Sequence, residues 1–181
     1  MDELDPIAVL ETATVVFTAE QVVRALDRMA AEIGAGLGGR RPIVLAVMNG
    51  GVFTATELCK RLAMPFEFDY VHATRYGRSV TGRDIEWRVP PATALQARAV
   101  LVVDDVLDHG ITLAALIERL AAIRVASLHT AVLVRKNLPE PVARPAVDFV
   151  GLEADDRYLF GCGMDYKGFW RGLPAIYGVG T

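Results

Sequence analysis

The 181-residue chain predicts an α/β fold in which helices flank a mostly parallel central sheet. Three observations carry this. Short apolar, strand-like runs alternate with segments of helical periodicity along most of the chain. Hydrophobic residues make up 52% and charged residues 23%, enough for one large buried core and too apolar for disorder. No internal repeat, low-complexity tract or long linker interrupts the chain, so residues 1–181 read as one domain.

The elements follow in order. Thr18 is an N-cap with Gln21 three residues on, a capping box, and Phe17 with Val22 supplies a hydrophobic staple. Val22, Val23, Leu26, Met29, Ala30 and Ile33 recur at helical spacing as a buried stripe, and Gly34 is the expected stop. The basic, glycine-rich turn 38–42 leads into a strand at Ile43–Val47. Asn49-Gly50-Gly51 is a tight turn into a helix over 52–62. Residues 66–72 alternate as a strand. The polar, basic and glycine-punctuated stretch near 74–85 reads as an exposed mobile loop. A short strand at Ile85–Val89 ends at Pro90-Pro91. Residues 100–103 form a buried strand, 112–123 a helix and 127–134 another buried strand. From Val147 a short strand leads into a tail rich in glycine and aromatics. That tail, mainly 151–181, is too irregular for another βα unit and is expected to cap the carboxyl edge of the sheet, where open α/β folds bind ligands.

The bulk numbers exclude several functions. A net charge of −3 gives no basic bias for nucleic acid or an anionic membrane. The start, Met1 to Asp5, is acidic where a secretory signal is cationic, and no apolar run approaches bilayer length, so a cytoplasmic location is expected. Cys59 and Cys162 lie far apart with neither metal-ligand nor redox spacing, and read as reduced core residues. His72, His109 and His129 are scattered and suggest no zinc site.

Residues 100–113 carry the most chemical information. A buried strand meets Asp104 and Asp105, Asp108 follows, and His109-Gly110-Ile111-Thr112 opens a helix. Adjacent acids at a strand end hold the hydroxyls of a ribose, or Mg²⁺ with its waters. An isolated Asp-Asp is more often a cap and a turn acid. Here the start of a helix behind a glycine adds backbone amides that bind phosphate, with the Thr112 hydroxyl beside them. The long glycine-rich span and lysine of a Walker motif are missing.

This segment resembles the phosphoribosyl diphosphate (PRPP) signature of the type I phosphoribosyltransferases. The chain from about Val15 to Val179 is similar to the hypoxanthine-guanine phosphoribosyltransferase family. Four further motifs, in the family's order, carry the resemblance. Residues 47–53 match its pyrophosphate loop, with Asn49 where many members have Lys and a strained peptide expected at Asn49-Gly50. Arg75 and Tyr76 stand in the closing loop, where relatives often carry Ser-Tyr. Val134-Arg135-Lys136-Asn137 matches the strand end whose Lys donates to a purine 6-oxo group; Lys136 is favoured, with Arg135 the alternative. The tail resembles the purine-capping hood: Tyr158 stacking on the base, Leu159 offering main-chain groups, Asp165 meeting Mg²⁺ through water and Arg171 touching pyrophosphate. Asp104 replaces a frequent Glu, and His109 a frequent Thr.

The resemblance implies the type I fold with a hood over the purine, and a reaction joining a 6-oxopurine, hypoxanthine or guanine, to PRPP. Asp108 is the implied general base at purine N7. Asp104 and Asp105 hold the ribose hydroxyls directly or through Mg²⁺, and His109, Gly110, Ile111 and Thr112 hold the 5′-phosphate. The implied partners are these small molecules and, as a homodimer or homotetramer, further copies of the chain. Two readings compete on the same fold: a PRPP- or nucleotide-sensing regulator, and a xanthine-preferring relative. A Mg²⁺-dependent phosphatase or receiver domain also puts Asp at strand ends, but lacks this order of acids and the hood.

Overall fold

A computed structural model describes residues 5–75, 85–139 and 142–180. Six strands form the main sheet: β2 (Ile43–Val47), β3 (Glu67–Arg75), β4 (Ile85–Val89), β5 (Ala99–Leu107), β6 (Ser127–Asn137) and β7 (Phe149–Asp155). Their spatial order is β4-β3-β2-β5-β6-β7, all parallel except β4, which runs antiparallel on β3. From β2 the chain steps outward to β3 and β4, then returns to β5 and steps outward the other way. The direction of winding therefore reverses between β2 and β5, and a crevice opens beyond their carboxyl ends.

Successive side chains of the central strands serve opposite faces. Val44, Ala46, Leu101, Val103, Ala131 and Leu133 pack under α2 (Ala19–Leu37) and α3 (Gly51–Cys59). Ile43, Leu45, Val47, Val100, Val102 and Val132 pack under α4 (Ile111–Ala122). Helices cover both faces, which explains the nearly continuous apolar runs of these strands. The Thr18–Gln21 capping box forms in both directions, at 3.3 and 2.8 Å. The helix does not stop at Gly34. It continues to Leu37, which is fully buried, and ends where Gly38 N–H donates to Gly34 O. Burial of Leu37 outweighs the entropic cost of Gly34 and Gly36. Val23, expected in the buried stripe, is 44% exposed, and Ala25 takes a buried place instead.

The tail forms its own sheet. β8 (Leu159–Phe160) and β9 (Ile176–Gly178) pair antiparallel, and β9 pairs with β1 (Thr14–Phe17) from the other end of the chain. Val9, in the one-turn α1 (Val9–Thr12), packs with Phe160 and Tyr166 as a second small core, and Phe160 stacks on Tyr177 with ring centres 5.5 Å apart. The hood boundary differs from expectation. Residues 151–155 belong to β7 in the main sheet, so the hood begins at Asp156 and borrows β1. Thr74 and Arg75 extend β3 rather than starting a loop, while Tyr76 lies outside the described residues. Among the described residues, no helix is long and apolar enough to cross a membrane.

Candidate active site

A cavity of about 450 Å³ occupies the crevice where the winding reverses. Its wall brings together Asn49, Gly50, Asp104, Asp105, Asp108, His109, Gly110, Ile111, Thr112, Lys136, Tyr158, Leu159, Asp165 and Arg171. Of the sequence-derived candidates, Tyr76 and the side chain of Arg75 lie outside the described residues.

The floor is acidic. β5 does not end before the acids, as the sequence suggested; it runs through them to Leu107, held by pairing of Asp104 with Val132 and Val106 with Val134 on β6. Asp104 Oδ1 accepts from Asp105 N–H at 2.9 Å and Asp105 Oδ1 from Val106 N–H at 2.9 Å. Burial, then the charge of Asp105, pushes the Asp104 carboxyl well above the usual range. Burial also raises Asp105, against the pull of its hydrogen bonds and of Arg171.

The turn after β2 rests directly on Asp105. A Cβ placed on Gly50 would sit 1.7 Å from Asp105 Oδ2, and one on Gly51 2.5 Å from Val103 O. On the hood side, Gly163 has φ +103°, and a Cβ there would lie 2.4 Å from Gly50 O. Three close backbone approaches thus lock turn, strand and hood together. Among the described residues the cis peptide is Met48-Asn49, one bond before the Asn49-Gly50 peptide expected to be strained.

Beyond Asp108 the chain turns through Gly110, at φ +71°, into α4. The first helical bond is Ala114 N–H to Gly110 O at 2.8 Å. The amides of Ile111, Thr112 and Leu113 precede it and have no carbonyl to meet inside the helix, which leaves this end able to receive an anion. His109 Nδ1 lies 2.9 Å from Asp108 Oδ1 without the alignment of a hydrogen bond, and that oxygen has no hydrogen-bond partner among the described residues.

Across from it, Lys136 Nζ donates to Asp108 Oδ2 at 3.0 Å and lies 3.7 Å from Asp156 Oδ1. Alternation along β6 sends Arg135 away from the cavity to an ion pair with Glu153. Above, Tyr158 is half exposed and its hydroxyl donates to Asp165 O at 3.1 Å. Asp165 is engaged on both oxygens, by Arg171 Nη2 at 2.5 Å and by Gly168 N–H at 2.7 Å; Arg171 Nη1 donates to Gly163 O.

Sequence reasoning gave no role to Asp156, Gly163 or Arg144, whose guanidinium bonds the carbonyls of Asp108 and Lys136. Asp156 could have been found from its place two residues before the exposed aromatic; the other two act through contacts distant in sequence. Both cysteines are free, and burial pushes the Cys59 thiol up to about 11 and the Cys162 thiol up to about 12, so neither is a nucleophile.

No group of three or more His, Cys, Asp or Glu side chains able to hold a metal occurs among the described residues. Mg²⁺ does not need one, since it keeps waters and takes one or two carboxylates together with substrate oxygens. The adjacent Asp104 and Asp105 at the cavity floor fit that requirement, because a cation there would relieve the crowding of two buried acids.

The chain is similar to known proteins over most of its length. The phosphoribosyl transferase domain family matches residues 13–167. The hypoxanthine-guanine phosphoribosyltransferase of Mycobacterium avium is 30% identical over 173 residues, 90% of this chain and 83% of the relative. The hypoxanthine-guanine-xanthine phosphoribosyltransferase of Tritrichomonas foetus is 28% identical over 162 residues, 90% and 88% of the two chains. A solved hypoxanthine-guanine-xanthine phosphoribosyltransferase superposes over 100% of both chains with a TM-score of 0.84 and 26% identity. A Staphylococcus aureus hypoxanthine phosphoribosyltransferase, 23% identical with a TM-score of 0.87, shares the fold over 98% of this chain and 96% of its own. With its acid-floored crevice, its phosphate-ready helix and its borrowed hood, the chain belongs to the phosphoribosyl transferase domain family and, within it, to the hypoxanthine-guanine phosphoribosyltransferases.

Proposed function

We propose that this protein is a purine-salvage transferase that joins hypoxanthine or guanine to PRPP, releasing IMP or GMP and pyrophosphate. One observation carries the reading. A single cavity places a helix start with free amides, a pair of floor carboxylates and a Lys136–Asp108 pair beneath a half-exposed tyrosine. Those groups match, in order, a phosphate, a ribose and the N7/O6 edge of a 6-oxopurine.

The chain's own residues account for the chemistry. The amides of Ile111 and Thr112, with the Thr112 hydroxyl, His109 and Gly110, seat the 5′-phosphate. Asp104 and Asp105 hold the ribose hydroxyls. Tyr158 stacks on the purine, Leu159 meets its edge through main-chain groups, and Lys136 donates to O6. A 6-amino group would set donor against donor at Lys136, so adenine is a poor substrate. The Asp108 carboxylate takes the N7 proton as N9 attacks the anomeric carbon. The amides at Asn49 and Gly50, with Arg171, receive the charge of the departing pyrophosphate. Arg75 and Tyr76 belong to a loop that excludes water from the oxocarbenium-like transition state. Bound Mg²⁺, held by Asp104 and Asp105 and through water by Asp165, would supply charge neutralisation at the ribose and the leaving group.

The same proposal has residues 1–181 acting as one phosphoribosyltransferase domain, placed in the cytoplasm and assembled as a homodimer or homotetramer; sizing chromatography reads the assembly. The test of activity is incubation with PRPP, Mg²⁺ and hypoxanthine, guanine, xanthine or adenine in turn. Monophosphate from a 6-oxopurine supports the reading. Turnover of adenine alone overturns the role of Lys136, and PRPP binding without turnover of any base replaces the enzyme by a sensor. Xanthine belongs in the panel because the T. foetus relative carries it in its name.

A further inference from the structure

The link between β6 and β7 is unusual for a parallel pair, because it contains no helix among its described residues. Residues 142–148 instead return from the carboxyl end of β6, where Arg144 bonds Lys136 O, to the level of Thr130, whose N–H donates to Asp148 Oδ2. Arg144 Nη1 donates to Lys136 O at 2.7 Å and to Asp108 O at 3.2 Å. Pro145 packs on the next turn: a Cβ on Gly110 would meet Pro145 Cδ at 2.9 Å.

Resting on the transferase reading above, we propose that Arg144 is a positioning residue for the purine, setting the spacing between the general base and the 6-oxo donor. Purine N7 and O6 are neighbours on one edge of the base, so the two groups that address them must sit side by side. They do, with Lys136 Nζ 3.0 Å from Asp108 Oδ2. Yet they ride on different elements, Asp108 on the turn after β5 and Lys136 on β6. The β5–β6 ladder pairs Leu107 with Arg135, and neither Asp108 nor Lys136 belongs to a pair in it. Arg144 supplies the missing tie through a single nitrogen, whose two hydrogens reach both main chains. The phosphate-binding turn is held separately, by Pro145 against Gly110 and by the Gly110–Ala114 helical bond. Loss of the guanidinium therefore loosens the purine side and leaves the phosphate side in place.

The experiment measures steady-state kinetics and thermal midpoints of the wild type, Arg144→Ala and Arg144→Lys with hypoxanthine, adenine and PRPP varied in turn. Arg144→Ala is expected to lower kcat/KM for hypoxanthine about 10- to 100-fold, the scale of a misplaced reacting group, with KM for PRPP within about threefold. Its preference for hypoxanthine over adenine narrows, because Lys136 is no longer fixed. Arg144→Lys keeps several donors on one nitrogen and recovers most of the loss. Unchanged hypoxanthine kinetics in Arg144→Ala overturn the inference. So does an equal loss toward both substrates with a lowered midpoint and no recovery in Arg144→Lys, which marks a structural role only. If Arg144→Ala does not fold, Arg144→Lys decides alone: near-wild-type hypoxanthine kinetics support the tie and a loss shared equally with PRPP removes it. A wild type inactive on every base overturns the transferase reading and this inference with it, whereas an active wild type confines failure to Arg144.

Discussion

The packing at Gly50 makes a sharp prediction, because the substitution Gly50→Ala adds a single methyl group. The backbone there has φ −67° and ψ −44°, which alanine adopts without strain, so any effect is steric. The new Cβ would lie 1.7 Å from Asp105 Oδ2 and 2.4 Å from its Cγ, with the nearer atom roughly 1.5 Å inside van der Waals contact. A carboxylate tip could ordinarily swing clear. This one has little room: it is 9% exposed, its Oδ1 accepts from Val106 N–H, and the hood lies so close that a Cβ on Gly163 would come within 3.2 Å of its Cβ. Either the floor acid or the turn must move by an ångström or more. Overpacking of this kind costs about 1–3 kcal/mol. In a chain of this size that is a drop of about 2–12 °C in Tm. Misplacement of a substrate-holding group by about 1 Å costs on the order of 100-fold in rate. Gly50→Ala is therefore expected to lose about 100-fold in kcat/KM for PRPP and a few degrees in Tm. Gly34→Ala is the matched control. It lies inside α2 with nothing within 4 Å of the added Cβ, and should gain about 0.5–1 kcal/mol with unchanged kinetics. A Gly50→Ala enzyme with wild-type kcat/KM and Tm would refute the claim that turn and floor acid are packed without slack.

Asp108→Asn is expected to lower kcat by about 10²–10⁴-fold while PRPP still binds, read by single-turnover assay and by calorimetry. Tyr158→Ala should lose about 1–3 kcal/mol of base affinity by removing the stacking surface, seen as a raised KM for hypoxanthine with little change in KM for PRPP. Asp69, buried in β3, is pushed up by burial but pulled further down by the N–H groups of Thr93 and Tyr70, each at 2.7 Å, so its folded value lies below the usual 3.8. Its stabilisation is fully present above about pH 4 and is lost as pH falls through the folded value; Asp69→Asn should lower Tm at pH 7 and flatten that acid limb in a pH-resolved melt. Thr18→Ala removes the side chain that accepts from Gln21 N–H and should cost about 1 kcal/mol in chemical denaturation, with activity unchanged.

The parts of the fold legible in the sequence were those written locally. The Thr18–Gln21 box, the apolar runs of β2 and β5 and the glycine before α4 each depend on residues a few positions apart, and each formed as read. The errors arose where burial overrode a local signal. Gly34 looked like a helix stop until Leu37 had a core to fill, and Asp104 and Asp105 looked like the end of a strand until β6 paired beyond them. The hood was legible as a cap but not as a sheet, since β9 finds its partner in Thr14–Phe17, at the far end of the chain. The site shows the same division. Among the described candidates, Asn49, Asp104, Asp105, Asp108, Lys136, Tyr158, Asp165 and Arg171 reached one cavity and Arg135 turned away, while Gly163 and Arg144 make backbone contacts that no spacing encodes.

Those backbone contacts also suggest why the hood borrows a strand from the other end of the chain. Gly163 must lie on Gly50 and Asp105 with no side chain between, and Arg171 must reach both Gly163 O and Asp165. An isolated β8–β9 hairpin of two and three residues would not hold that geometry, because a two-stranded ribbon is marginal in water. β1 adds the third strand, and the residues around it bring Val9 and Leu10 to the small core with Phe160 and Trp170. Since β1 leads directly into α2, which packs on β7 at the edge of the main sheet, the hood is tied to the sheet from both of its ends. The Tyr158 platform and the Asp105 floor are then parts of one braced frame, and the distance between them is set by packing rather than by the substrate.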